Sequence, residues 1–150
     1  MKIYIASSWK NQEWVLQTAN VLEADGFEVD AFCRSTDKRF AFHWSEFVDD
    51  EKDLQNYDAC SFLGDARVQK AFKEDKKWLD WSDCVVLVMP CGRSSHLEAG
   101  YAKGQDKTLI IYAPNGFPKG EFDVMYGFAD FMTDKIDEVK EFLKTNKGDL

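Results

Sequence analysis

The run Cys84-Val85-Val86-Leu87-Val88-Met89 narrows the possible folds of this chain more than any other segment. It is apolar on both faces and rich in valine, as in a strand at the centre of a parallel sheet, whereas a half-exposed antiparallel strand would alternate. Parallel neighbours cannot be joined by tight hairpins; they need crossover connections, usually helical. The flanks supply them. A helical pattern over about Asp65 to Trp81, with room for a shorter helix before it, leads into the run. Pro90-Cys91-Gly92 ends it, and a second helix follows as far as Gly104.

The rest of the chain keeps the same alternation. Lys2 to Ala6 reads as a short buried strand. After Ser7-Ser8, a helix is predicted from about Asn11 to Ala24, with Trp14, Val15, Thr18, Val21 and Leu22 at helical spacing and Gly26 as its stop. Phe27 to Phe32 alternates like a second strand, and Cys33 to Asp53 is irregular and aromatic-rich, a loop length that is usually functional. Ser94 or Ser95 is expected to cap the helix that carries Leu97, Gly100 and Tyr101. Thr108 to Tyr112 is a further strand, Ala113 to Asp123 a loop, and about Lys135 to Leu143 a last helix whose Ile136, Val139, Phe142 and Leu143 oppose a charged face. There is no internal repeat, low-complexity tract or linker. The expected architecture is therefore α/β: one domain over residues 1–150, a doubly wound flavodoxin/Rossmann-like sandwich around a mostly parallel sheet of about five strands. Ligands of such sheets bind outside the carboxyl ends of the strands. This directs attention to Ala6–Trp9, Phe32 onward, Pro90–Glu98 and Ala113 onward.

Composition limits the partners. The 150 residues include 27 acidic and 19 basic side chains, a net charge of −8, with 45% apolar and 15% aromatic residues. A chain of this size buries enough surface to fold without disulfides or a structural metal. A net negative surface without a basic stripe argues against an extended nucleic-acid footprint and leaves small discrete ligands open. No apolar run approaches the roughly 18 residues of a membrane span, and Met1-Lys2-Ile3-Tyr4-Ile5 enters a strand pattern without a signal-peptide core, so a cytoplasmic protein is expected. Cys33, Cys60, Cys84 and Cys91 form no C-x-x-C pair. Reduced thiols fit them, and with only His43 and His96 available no zinc-ligand spacing exists.

At the end of the valine-rich strand, Pro90-Cys91-Gly92-Arg93-Ser94-Ser95-His96-Leu97-Glu98 turns into a helix whose free N–H groups and dipole suit an anion. A cysteine phosphatase loop would require Arg where Leu97 stands. Gly-x-Ser-x-Gly, Walker A and Gly-x-Gly-x-x-Gly are all missing. What remains is Glu98 in the first turns of a crevice-facing helix, either a solvated helix-start carboxylate or a reacting group. Asp75 is one of several acids on the preceding helix, and such runs usually face solvent.

Strand Cys84–Met89 followed by Pro90-Cys91-Gly92-Arg93-Ser94-Ser95-His96-Leu97-Glu98-Ala99-Gly100-Tyr101-Ala102-Lys103-Gly104 resembles the signature of the nucleoside 2-deoxyribosyltransferase family, including its N-glycosidase relatives. Ile3-Tyr4-Ile5-Ala6-Ser7-Ser8-Trp9 resembles the opening strand and loop of that family, Asp75 matches its base-binding aspartate in order and spacing, and Phe42-His43-Trp44-Ser45-Glu46 is similar to bacterial and phage members. The resemblance covers nearly the whole chain. It implies that Glu98 attacks the anomeric carbon, that Tyr4 orients this carboxylate, and that Asp75 contacts the nucleobase. The chemistry suits these types: a carboxylate stabilises an oxocarbenium-like transition state and can trap it as an ester, and an acid beside the departing base contributes roughly 10²–10⁴-fold. For Asp75 that role requires a raised pKa, which a dry aromatic crevice can supply.

The resemblance further implies a small-molecule nucleoside or nucleotide and a free nucleobase as partners, with no metal or organic cofactor. Transfer of 2-deoxyribose between bases is the expected activity. The same residues would make a hydrolase if water entered, and Arg93, Ser94, Ser95 and His96, with Gly92 as a further substrate-binding candidate, form a polar turn that could receive a 5′-phosphate, giving a nucleoside 5′-monophosphate N-glycosidase. A catalytically silent nucleotide-sensing module is the alternative of another class. Ser7 lies in the opening loop at the mouth of the crevice. Trp9, Phe42, His43 and Trp44 are candidates to stack on a base, or else ordinary loop anchors; His96 is a phosphate contact or merely crevice wall. Phe122-Asp123-Val124-Met125-Tyr126-Gly127 resembles the segment that family members extend toward a neighbouring subunit's site, with Asp123 where the family commonly has Asn, and with Met125 beside it. These apolar residues predict a homodimer or higher homo-oligomer.

Overall fold

The valine-rich run becomes β3 (Cys84–Val88), buried at every position. This computed structural model describes residues 1–120 and 122–146, with Glu46, Glu51 and Lys52 described in their backbone alone. Glu121, within the expected 113–123 loop, lies outside the described residues, as does the side chain of Glu46 in the aromatic segment. β3 pairs in parallel with β1 (Lys2–Ala6) on one side and β4 (Thr108–Tyr112) on the other. β2 (Glu28–Ala31) flanks β1, and β5 (Phe131–Thr133) flanks β4. Among the described residues the sheet has five strands in the order β2-β1-β3-β4-β5. All are parallel, where a mostly parallel sheet was expected. That order is the flavodoxin-like one, and it places the topological switch between β1 and β3.

Successive strand residues point to opposite faces, which sorts the core into two layers. Ile3, Ile5, Val86, Val88 and Ile110 pack under α1 (Gln12–Ala24) and α5 (Ile136–Thr145) through Val15, Ala19, Leu22, Val139 and Leu143. Tyr4, Ala6, Val85, Leu87, Leu109 and Ile111 pack under α3 (Ala66–Trp81) and α4 (Arg93–Lys103) through Leu79, Ala99 and Ala102. Each fully buried aliphatic side chain contributes roughly 1.5–3 kcal/mol, so the sheet is a rigid floor for whatever projects from it. A third, smaller cluster of Phe47, Val48 and Val68, joined by Phe42, Leu54 and Phe62, anchors the irregular segment after β2 onto α3. The short α2 (Ala59–Gly64) begins where the Asp58 side chain accepts the N–H groups of Cys60 and Ser61.

Three local expectations change. The start of α4 is capped by Gly92, not by Ser94 or Ser95, and no side chain caps it; both serines lie inside the first turn. Gly92 is extended, with open space where a Cβ would sit, and having no side chain it leaves the first N–H groups of the helix without a side-chain acceptor. The stretch after the 113–123 loop folds into a 3₁₀ turn over Val124–Phe128 and then β5. At three residues with one buried position, β5 is too short to show a period in sequence.

Candidate active site

Beyond the carboxyl ends of β1 and β3 lies a cleft of about 290 Å³, lined by Ser7, Ser8, Trp9, Lys10, Phe32, Phe42, Trp44, Asp75, Gly92, Ser94, Ser95 and Glu98. The loop after β1 is tied to the end of β3. The Ser7 hydroxyl donates to the Val88 carbonyl at 2.7 Å, and buried Asn11 donates to the Met89 carbonyl and to Ser7 Oγ, each at 3.2 Å. Glu98 comes from the second turn of α4 and Asp75 from α3, the helices covering the same sheet face. Tyr4 rises from that face, fully buried, in register with Asp30 on β2. Residues far apart in the chain, Tyr4, Asp75 and Glu98, therefore converge because three elements share one layer.

Burial dominates the electrostatics. The Glu98 carboxyl is pushed from its ordinary 4.5 up to about 8, first by desolvation and then by the nearby Asp75 charge, while the Tyr4 hydroxyl and Arg39 oppose the rise. The Tyr4 hydroxyl completes no hydrogen bond of good geometry, yet it lies beside Glu98 closely enough to favour the ionised carboxylate. Such a contact tightens when substrate fills the site. The Tyr4 phenol itself is driven well above its usual range by burial. Desolvation also raises Asp75, with Arg39 pulling the other way. Arg39 Nη2 donates to Asp75 Oδ1 at 2.7 Å, and Arg39 Nε lies 3.2 Å from Asp30 Oδ1. Cys91 is held up at about 11 by burial, so its thiol stays protonated and unreactive. Among the described residues no three His, Cys, Asp or Glu side chains are grouped to hold a metal ion, and no helix is long and apolar enough to cross a membrane.

The other predicted site residues divide between two places. Ser7, Trp9, Phe42, Trp44, Gly92, Ser94 and Ser95 border the Glu98 cleft. His43 is not among its lining residues; its ring packs at a tilt on Trp9, centroids 4.1 Å apart, and Phe32 meets Trp9 edge-on at 5.2 Å. Arg93, His96, Asp123 and Met125 instead border a separate apolar hollow of about 770 Å³ between α4 and the 124–128 turn. The α4 helix explains this split: residues three or four apart share a face, so Ser94, Ser95 and Glu98 go one way, and Arg93, His96, Leu97 and Gly100 the other. His96 Nδ1 donates to the Gly92 carbonyl at 2.8 Å and its ring stacks on Tyr126. Asp123 accepts the Met125 N–H at 2.8 Å, capping its own turn. The larger hollow contains no reactive carboxylate pair, so the smaller cleft is the candidate site. The residues that sequence reasoning missed are Lys10, Arg39 and Asp30. For the last two the only signal was a charge inside a strand pattern and another in an irregular loop.

No family model and no curated protein matches this chain. Solved structures do. A 2-deoxyribosyltransferase from Bacillus psychrosaccharolyticus superposes with a TM-score of 0.64 at 16% identity, covering 93% of this chain and 90% of its own. The chain folds like a 2-deoxyribosyltransferase. A CMP N-glycosidase from Clostridium botulinum matches over 97% of this chain and 98% of its own, TM-score 0.55, identity 14%. A response regulator from Thermotoga maritima gives 0.50 at 16% identity, over 97% of each chain. A fold of this kind thus also occurs in a response regulator, so the fold alone does not assign the chemistry, and the site must carry that argument.

Proposed function

We propose that this protein cleaves the N-glycosidic bond of a nucleoside and transfers the sugar to another nucleobase, as a nucleoside 2-deoxyribosyltransferase of the family its sequence resembles. The observation that carries the reading is the convergence of a desolvated Glu98 and Asp75 on one aromatic-walled cleft, with the buried Tyr4 hydroxyl beside Glu98. The Glu98 carboxylate attacks C1′ on the side opposite the base. The C1′–N bond breaks, its electron pair leaves with the base, and Asp75 shares a proton with a ring nitrogen. A nitrogen of the incoming base then attacks C1′ and expels the Glu98 carboxylate, so two inversions give retention. Trp9, Phe32, Phe42 and Trp44 keep the ester from water. A Glu98 carboxyl near 8 in the empty site loses its proton to solvent before it attacks, and the positive charge developing on the sugar then stabilises the carboxylate so formed.

Incubation with a deoxynucleoside and a different free base, followed by chromatographic separation, is expected to yield the new deoxynucleoside. Release of deoxyribose alone would refute transfer. Ligand binding without turnover, unchanged in Glu98→Ala, would refute catalysis and favour a nucleotide-sensing module.

A specific feature supports a second reading, a nucleoside 5′-monophosphate N-glycosidase. Lys10, Ser8 and Ser94 border the same cleft as the side-chain-uncapped start of α4, a set of donors suited to a phosphate. A monophosphate preferred over its nucleoside by several kcal/mol, about a hundredfold or more in kcat/KM, would establish it. We also infer a homodimer or higher homo-oligomer, because Leu97, Met125 and Phe128 are exposed on the rim of the apolar hollow and the chain beside them exposes Phe122 and Val124.

A further inference from the structure

Behind Asp75 and outside the lining of the cleft, Arg39 keeps only 2% of its side chain exposed, and its partner Asp30 only 4%. Burying a guanidinium is costly unless every donor is matched. Here the match is incomplete: Arg39 Nε and Nη1, and Asp30 Oδ2, are buried without a hydrogen bond. An apolar set of the same volume would serve folding at least as well, so this cluster spends stability at the wall of the cleft. One end of it reaches the site. Arg39 occupies Oδ1 of Asp75, whose side chain remains 41% exposed, and leaves Oδ2 as the oxygen available to a ligand.

Resting on the N-glycoside reading above, we propose that Arg39 is a positioning residue: clamped from behind by Asp30, it fixes Asp75 by one oxygen so that the other meets the nucleobase. The groups that face these carboxylates come from every packed element. They are Tyr4 from β1, Asp30 from β2, Glu74 and Lys77 from α3, and the Cys91 thiol at the end of β3. Arg39 is the cation among those acting on Glu98, and it favours ionisation; Asp75 and Asp30 oppose it. Removing Arg39 and removing the charge of Asp30 must therefore act in opposite directions.

The test follows the Glu98 titration by side-chain carboxyl ¹³C NMR, assigned with Glu98→Gln, alongside kcat/KM against pH for a deoxynucleoside. Arg39→Met is expected to move the Glu98 midpoint to higher pH and to lower kcat/KM about tenfold on the acid side. Asp30→Asn is expected to move the midpoint to lower pH. Arg39→Lys keeps the charge but not the planar fork, so it should leave the midpoint close to that of the parent while raising KM about tenfold with little change in kcat. Should Arg39→Met fail to fold, the downward movement in Asp30→Asn decides the matter. Midpoints that move the same way in both variants, or not at all, would overturn the proposal. If the parent turns over no nucleoside, the N-glycoside reading falls, while the NMR titration still tests the action of Arg39 on Glu98.

Discussion

Replacing Glu98 by Gln is expected to stabilise the folded protein at alkaline pH and to leave it unchanged at acid pH. The carboxyl rises from 4.5 to about 8 on folding, so the folded state binds this proton more tightly than the unfolded chain does. Stability is then lost as pH climbs from 4.5 through about 8, and the full cost is present above that window. At about 1.4 kcal/mol per pH unit the complete effect is about 5 kcal/mol. Water entering the open cleft and relaxation of Tyr4 and Asp75 reduce it to about 2–3 kcal/mol. Gln mimics the neutral carboxyl in size and shape, so little else changes. Urea unfolding of parent and variant from pH 4 to 9 would measure this directly. The two should coincide near pH 4 and diverge steadily up to about pH 8, with the variant the more stable and inactive. Stability differences that stay constant across that range would refute the claim that Glu98 is desolvated at the expense of folding.

Other outcomes follow from the same geometry. In the parent, kcat/KM should climb about tenfold per pH unit and level off near pH 8, where Glu98 becomes ionised; a flat profile between pH 6 and 8 would count against Glu98 as nucleophile. Tyr4→Phe removes a buried hydroxyl that completes no hydrogen bond, so Tm should hold or rise slightly, whereas kcat/KM falls about 10–100-fold and its acid limb moves upward. Val124 is 87% exposed and precedes Met125, which borders the apolar hollow; sedimentation of Val124→Asp should show a smaller particle than the parent if copies of the chain meet there.

Much of the architecture could be read directly. A strand buried on both faces needs β-branched residues in unbroken sequence, and β3 shows this; α1 and α5 show their buried stripes, and Gly26 supplies the positive φ that stops α1. The cap of α4 was not legible, because serine and glycine both suit that position. β5 was missed because its pairing with β4, rather than its own three residues, makes it a strand.

The chain by itself determined that Glu98 would sit at the head of a helix beyond a central strand, since local periodicity and turn residues act over a few positions. Only the tertiary structure decided what surrounds it. Tyr4, Arg39, Asp75 and Glu98 meet across 94 residues of sequence because α3 and α4 cover the sheet face from which Tyr4 of β1 projects, and the loop after β2 brings Arg39 onto Asp75 of α3. Likewise, the rotation of α4 alone separates Ser94, Ser95 and Glu98 in the cleft from Arg93 and His96 in the hollow. Neither effect leaves a periodic trace, because desolvation and charge coupling depend on distance through space and not on separation along the backbone.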